Sequence, residues 1–219
     1  MVDSYAIHPQ YSRPERIADA AVHLLGLAFG LAAAASLALA ALPRADALLW
    51  LALGLYAAGL LAMLSCSALY NLTQAPNRKA MFRRLDHAAI FVMIAGSYTP
   101  FMLVALGGAT GVGLLVFVWA VALCGAALKL FWPRRFDRLS VVAYLLLGWS
   151  ILAVLEPLVA ALSPAGLALI VGGGLLYSLG VVFHLWIRLP FHNAIWHALV
   201  LAAAACHFAA ILGEVVIAG

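Results

Sequence analysis

The chain has 219 residues, of which 67% are hydrophobic and only 9% are charged, with a formal net charge of +4. A surface that faces water needs roughly a quarter or more of its residues charged, so this composition excludes a soluble globular domain and predicts an integral membrane protein. The basic residues lie in short loops between apolar runs, where they act as topology signals and do not indicate a nucleic-acid partner.

A polar tail over residues 1–16 precedes seven apolar segments. Each segment has about 20 residues or more, enough to cross a hydrocarbon core of about 30 Å at about 1.5 Å per helical residue. The predicted fold is therefore an all-α, seven-transmembrane helix bundle over residues 17–219. The predicted segments are Ile17–Leu42, Ala47–Leu72, His87–Leu106, Gly111–Trp132, Leu139–Leu162, Ala165–Trp186 and Asn193–Ile217.

The distribution of lysine and arginine predicts the orientation of the bundle. Of the 12 basic residues, only Arg44 falls in a linker that would lie on the far side; the other eleven lie in the tail and the second, fourth and sixth linkers. The positive-inside rule then places the N-terminus in the cytoplasm and the C-terminus outside, in the inner (plasma) membrane. We expect no cleaved signal, because the first apolar run is longer than a signal-peptide core and leads into a second.

Three pairs of polar residues have i, i+4 spacing within the apolar helices. This spacing places both side chains of a pair on one helix face, with Cβ atoms about 5–6 Å apart. With the predicted topology, all three pairs lie in the leaflet nearest the cytoplasm. One pair alone is more typical of hydrogen bonds between helices, whereas three pairs at one depth favour a shared polar cavity. The pairs are Asp19/His23, Ser67/Asn71 and Asn193/His197.

Asp86 and His87 lie where the basic stretch around Arg83 gives way to the third apolar run. We expect them to begin the third helix, close to the polar pairs. Two interpretations of Asp86 remain open, since it can cap that helix or serve as the acid of the cavity. Imidazoles from different helices beside a carboxylate can hold Zn²⁺, and a water bound to it becomes a nucleophile near neutral pH.

The remaining titratable side chains are predicted to be structural. His207 lies roughly 15 Å deeper along its helix than His197, and we expect it to bond to a neighbouring helix. His8 and His192 flank the membrane and receive no role. The three cysteines have no metal-binding or redox spacing and are expected to be buried small hydrophobes: Cys66, Cys124 and Cys206.

Four stretches resemble the hemolysin III family, the bacterial branch of the progestin and adipoQ receptor superfamily. The resemblance covers nearly the whole chain and implies seven transmembrane helices with a cytoplasmic N-terminus. Eukaryotic adiponectin-receptor relatives have a cytoplasmic-side zinc site and a proposed ceramidase-type activity, whereas bacterial members carry a cytolysin label and a link to membrane-lipid homeostasis. The stretches are Glu15–Asp19 with His23 and Gly26, Ser67–Asn71, Arg83–Phe101 and Asn193–Phe208.

The zinc pattern of that superfamily is only partly present. The resemblance implies catalytic roles for Ser67 and Asp86 and a metal-binding role for His197. Asn71 and Asn193 stand where the other two histidine ligands would be. An amide oxygen is a poor ligand for a metal that favours imidazole and thiolate, so the implied zinc does not carry over directly.

The sequence leaves three functions open. The one we favour is a protein that acts on or senses membrane lipids, through an inner-leaflet hydrolase site that is metal-dependent or degraded. A non-catalytic membrane-homeostasis or receptor-like protein would use the same cavity as a hydrogen-bonding pocket. A pore-forming cytolysin is the third alternative, and the expected lack of a secretion signal argues against it.

Overall fold

The computed structural model describes residues 11–133 and 135–218, apart from the side chain of Arg138. Across these residues the chain is all-helical, and seven of its helices are long and apolar enough to cross a membrane. The predicted fold class is therefore confirmed. The helices are α1 (Arg13–Ala41), α2 (Ala47–Leu72), α3 (Pro76–Leu106), α4 (Gly108–Phe131), α5 (Asp137–Trp149, then a 3₁₀ turn at Ser150–Val154 and a short segment Leu155–Ala161), α6 (Pro164–Leu185) and α7 (His192–Ile217).

Large apolar side chains cover the outside of the bundle. Leu31 is 64% exposed, Phe117 54% and Leu146 70%. A soluble monomer rarely exposes so much contiguous apolar surface, whereas a bilayer covers it with acyl chains. This surface is that of a multi-pass membrane protein. We call the end of the bundle where α1, α3 and α7 begin the basic end; its cytoplasmic orientation stays a prediction.

α1 begins at Arg13, four residues before the predicted start of the first segment at Ile17. Ser12 caps it in a reciprocal arrangement, because Glu15 donates its backbone N–H to Ser12 Oγ while the Glu15 carboxylate accepts the Ser12 N–H. Glu15 Oε1 also accepts the N–H of Phe191 at 2.9 Å. Phe191 immediately precedes α7, so this bond ties the start of α1 to the start of α7.

α3 begins at Pro76, well before the predicted start at His87. Proline suits the first helical turn because its missing N–H has no intrahelical partner there. The apolar run marks only the part of α3 that the hydrocarbon core requires, and the helix continues beyond it. Asp86 therefore lies inside α3, and the interpretation of Asp86 as a helix cap is wrong. Its carboxylate remains available to neighbouring helices.

Glycines bring α1, α2 and α3 close together. A Cβ added at Gly30 would lie 2.7 Å from Leu64 of α2. A Cβ at Gly96 of α3 would lie 3.1 Å from the backbone oxygen of Leu55. These contacts hold the polar faces of the three helices at a fixed depth relative to one another.

α5 is interrupted at Ser150–Val154, although the sequence predicts one continuous segment. The hydroxyl of Tyr98 in α3 donates to Leu147 O and Gly148 O at 2.9 and 2.7 Å and accepts the Ile151 N–H at 2.8 Å. Tyr98 thus replaces hydrogen bonds that the interruption of α5 breaks. Because Tyr98 lies on another helix, no local sequence pattern in α5 predicts the interruption.

Candidate functional site

A cavity of about 1650 Å³ opens between the helices at the basic end. Its outer part is polar, and it continues inward along α3 past the apolar side chains of Ile90, Met93 and Ile94. Tyr98, Ser178 and His207 also line its inner part. All of the predicted site residues except Ser67 and His23 line it, and these two contact residues that do. The lining members are Asp19, Asn71, Asp86, His87, Asn193 and His197.

Asp19, His23 and His197 form a cluster between α1 and α7. The spacing of one helical turn places Asp19 and His23 on the same face of α1. His197 Nδ1 lies 2.6 Å from Asp19 Oδ1, and His23 Nε2 lies 3.4 Å from Asp19 Oδ2. The two imidazole ring centres are 4.4 Å apart. All three side chains are nearly buried, with 5–12% of each exposed.

Asn71 and Asn193 contact each other between α2 and α7. Asn193 Nδ2 donates to Asn71 Oδ1 at 3.3 Å, and Asn71 Nδ2 donates to the backbone oxygen of Ser67 at 3.0 Å. The two positions are therefore neighbours in space, on the same cavity wall. The Asn71 oxygen is therefore occupied by the Asn193 amide and is not held ready for a ligand.

Asp86 lies on α3 with 13% of its side chain exposed. Ser67 of α2 and His23 of α1 lie close enough to the Asp86 carboxylate to interact with it. His87 Nδ1 is 3.8 Å from Asp86 Oδ2, and it donates to the backbone oxygen of Arg83 at 2.7 Å. The bond to Arg83 fixes the His87 ring.

His192, which receives no role from the sequence, lines the cavity and is 4% exposed. The hydroxyl of Tyr11 lies 3.4 Å from its Nε2. Burial, with a smaller contribution from the charge of Asp19, raises the pKa of Tyr11 to about 12, so this hydroxyl stays protonated and can donate. The position of His192 next to Asn193, at the start of a predicted helix, was the sequence feature that could have indicated its place in the cavity. His8 lies outside the described residues.

An ion-pair network stands at the mouth of the cavity. Asp137 Oδ2 accepts from Arg83 at 2.7 Å and Asp137 Oδ1 from Lys129 at 2.8 Å. Burial alone would raise the pKa of Asp137, but these two hydrogen bonds outweigh it and lower the pKa to about 2. The network joins the ends of α3, α4 and α5, and it buries Lys129 to 4% exposure.

His207 and the cysteines lie apart from the polar end. His207 Nε2 donates to the backbone oxygen of Ile170 in α6 at 3.3 Å, which confirms the predicted structural bond. The expected burial is wrong for Cys124, which is exposed on the outside of α4, and Cys66 and Cys206 are only half-buried. In an apolar transmembrane helix, a cysteine that faces lipid is as favourable as one in the core. The apolar sequence around each cysteine therefore does not predict whether its side chain is buried.

The family model described as "Haemolysin-III related" matches residues 12–208. The chain belongs to this family. It is 39% identical over 199 residues to a hemolysin-3 homolog of Bacillus subtilis, covering 90% of this chain and 93% of the relative. It is 37% identical over 198 residues to hemolysin-3 of Bacillus cereus, covering 90% of both chains. It is also 29% identical over 165 residues to human monocyte to macrophage differentiation factor, covering 72% and 67%.

The zinc site implied by the family resemblance does not fit the residues of this haemolysin-III-related protein. Asn71 and Asn193 are hydrogen-bonded to each other at the positions where that pattern has histidine. The remaining histidine, His197, is bonded to Asp19 of α1. One imidazole with two amide side chains is not a donor set that zinc favours, and the oxygen of Asn71 is already hydrogen-bonded.

Proposed function

We propose that this protein binds a membrane lipid in the cavity, with the polar part of the lipid at the Asp86 and His197 end and the acyl part between the apolar walls. The observation that supports this is the change of lining along one continuous space, from mostly polar residues at the basic end to Ile90, Met93 and Ile94 farther along α3. A lipid has the same division along its length.

The size of the cavity also supports a lipid. Pockets for drug-sized molecules measure about 300–1,000 Å³, and the cavity of about 1650 Å³ is larger than that. Lys79 and Arg83 line its mouth. They suit an anionic headgroup at the cytoplasmic face, which is where this proposal places the basic end in the inner membrane.

Two adjacent valines on α6 offer a matched test of lipid binding. Val181 lines the cavity, whereas Val182 is 54% exposed on the outside of the bundle. Val181 lies at the depth of Trp196 and His197, because the adjacent Gly180 packs against Trp196. We expect Val181→Trp to block the cavity at this depth, so that an acyl chain cannot enter, and Val182→Trp to leave it open. The probe is an anionic phosphatidylglycerol that carries a photoreactive diazirine on one acyl chain, reconstituted with the protein in phosphatidylethanolamine–phosphatidylglycerol vesicles.

Peptide mapping after illumination gives the readout. Wild type and Val182→Trp should be labelled on cavity-lining peptides of α3 and α5, and Val181→Trp should lose this labelling while keeping labels on the outer surface. Equal labelling of cavity peptides in the two variants would show that the cavity does not hold the acyl chain.

Hydrolysis of the bound lipid is the second candidate function, and the pairing of Asp86 with Ser67 on the cavity wall favours it. In this proposal Asp86 takes a proton from a water while the water oxygen attacks the carbonyl carbon of an ester or amide. The bond from that carbon to the leaving oxygen or nitrogen then breaks, and Asp86 returns the proton to the leaving group. Ser67 orients the Asp86 carboxylate.

Asp86→Asn tests the catalytic role, because it keeps the shape of the side chain but removes the base. Asp46→Asn is the matched control, since Asp46 caps α2 at the opposite end of the bundle. Fatty acid released from the vesicle lipids, measured by mass spectrometry, should fall by about 10²-fold or more in Asp86→Asn and stay at the wild-type rate in Asp46→Asn. Wild-type release by Asp86→Asn would remove Asp86 from the reaction and leave lipid binding unaffected.

The hemolysin names belong to the Bacillus relatives. No cavity or surface feature described above favours pore formation by this chain over lipid binding.

A further inference from the structure

We propose that Asp19, His23 and His197 form a binding site for a divalent transition-metal cation of the zinc type, at the α1–α7 interface. The site differs from the one that the family resemblance implies, because α1 supplies two of its ligands and α2 supplies none. It does not depend on the proposed lipid binding, and its test contains no lipid substrate.

The three side chains already converge to the distances that a metal requires. One ligand atom from each lies within 4.8 Å of the others. Zinc–nitrogen and zinc–oxygen bonds of about 2.0–2.2 Å in a tetrahedron place ligand atoms about 3.3 Å apart, so small side-chain rotations suffice. The helices need not move.

The donor set is one that zinc uses. Two imidazoles and one carboxylate are the protein ligands of several catalytic zinc sites, where the fourth position is left to water. Asp19 and His23 are one turn apart on α1, as paired zinc ligands on a helix often are. His197 lines the cavity, so a fourth position beside it is accessible from there.

A buried nitrogen without a hydrogen bond points to the same ligand. His23 Nε2 lacks a hydrogen-bond partner among the described residues, although 95% of the His23 side chain is shielded. It lies 3.4 Å from Asp19 Oδ2, but the geometry does not meet that of a hydrogen bond. An unsatisfied buried polar group costs about 1–3 kcal/mol. A cation placed between the three side chains would give this nitrogen a partner and balance the buried charge of Asp19.

The experiment uses full-length protein in detergent, stripped with chelator, equilibrated with zinc chloride and desalted. Metal is counted by mass spectrometry, and cobalt(II) absorption reports the coordination geometry. Asp19→Asn and His23→Gln remove proposed ligands. His207→Gln is the control, because His207 is a half-buried histidine on α7, the helix of His197, and it bonds to Ile170 instead. Asn71→Ala tests whether the metal lies instead between α2 and α7, where the family resemblance implies a zinc site.

We expect about one zinc per chain in wild type, His207→Gln and Asn71→Ala, and at least about tenfold weaker binding in Asp19→Asn and His23→Gln. His23→Cys is the conservative variant, because a thiolate is also a zinc ligand. It should retain zinc and add a sulfur-to-cobalt charge-transfer band, a signal that misfolding cannot produce. Size-exclusion profiles identify variants that fail to fold.

Three results would overturn the proposal. Wild type that retains no zinc would show that Asp19 and the two histidines are a metal-free hydrogen-bonded cluster. Zinc held by wild type and lost in Asn71→Ala but not in His23→Gln would place the metal at the family position. A His23→Cys protein that folds and binds cobalt without the charge-transfer band would remove residue 23 from the metal.

Discussion

Three tyrosines, Tyr56 and Tyr98 buried and Tyr144 partly buried, offer the same chemical change in three hydrogen-bonding environments. Tyr98 donates to the backbone oxygens at the interruption of α5 and accepts the Ile151 N–H. Tyr144 makes a single bond, donating to His87 O at 2.8 Å. Tyr56 is fully buried, and its hydroxyl lacks a partner among the described residues. Replacing each by phenylalanine removes one oxygen and leaves the ring packing.

The expected losses follow from what each deletion leaves behind. Tyr98→Phe removes a donated bond, about 1 kcal/mol net, and leaves the Ile151 N–H unsatisfied, about 1–3 kcal/mol, for a total near 3 kcal/mol. Tyr144→Phe removes one bond to a helical carbonyl and should cost about 1 kcal/mol. Tyr56→Phe removes an unsatisfied hydroxyl and should be neutral or stabilising by up to about 1 kcal/mol.

Thermal unfolding in detergent, followed by size-exclusion chromatography of the heated samples, measures the series. At about 2–4 °C per kcal/mol for a chain of this size, Tyr98→Phe should lower the midpoint by about 6–12 °C and Tyr144→Phe by about 2–4 °C, with no decrease for Tyr56→Phe. The order of the three variants is the test. A decrease in Tyr56→Phe as large as that in Tyr98→Phe would refute the assignment of these bonds.

Three further predictions use other parts of the bundle. Asp137→Asn should lower the unfolding midpoint at pH 7 by about 2–4 °C. This corresponds to a loss of about 1 kcal/mol in the free energy of unfolding, a value reduced because Asp137 is partly exposed to solvent. The lowered pKa of Asp137, about 2 against 3.8, means its contribution is complete above about pH 4 and is lost as pH falls toward 2; the variant should lack this dependence in unfolding scans. Gly125→Ala, whose Cβ would lie 2.4 Å from the Phe91 ring, should cost about 1–3 kcal/mol, while Gly113→Ala, with nothing within 4 Å, should not destabilise; equal midpoints would contradict the packing. Reporter fusions at Asn77 and Gly108 should give opposite compartment signals, and equal signals would contradict the predicted orientation.

The sequence predicts the membrane-spanning helices well because burial in hydrocarbon requires long apolar runs. It predicts their ends less well, since a helix can extend into water without an apolar signal. The predicted third segment begins at His87 and leaves Pro76 in the linker, yet proline suits a first helical turn and the helix begins there. This earlier start changed the interpretation of Asp86. The interruption of α5 depends on Tyr98 of α3, a contact between residues distant in sequence.

The same limit applies to the candidate site. An i, i+4 pair shows which side chains share a face of one helix, but not which neighbouring helix that face meets. On α7, Asn193 faces Asn71 of α2 while His197, one turn later, faces Asp19 of α1. The family pattern predicts that both α7 side chains serve one zinc site with α2.

Their division between two neighbours has a chemical reason. An asparagine side chain has two N–H donors and an acceptor oxygen, so two asparagines can hydrogen-bond to each other without a metal. A neutral imidazole has only one donor and one acceptor, so two histidines without a metal have fewer ways to pair. Asparagine at both family positions is therefore a consistent pair of changes. Asp19 then supplies a carboxylate where His197 can reach it. The proposed metal site keeps His197, the histidine that it shares with the family pattern, and replaces the other two ligands of that pattern with two ligands from α1.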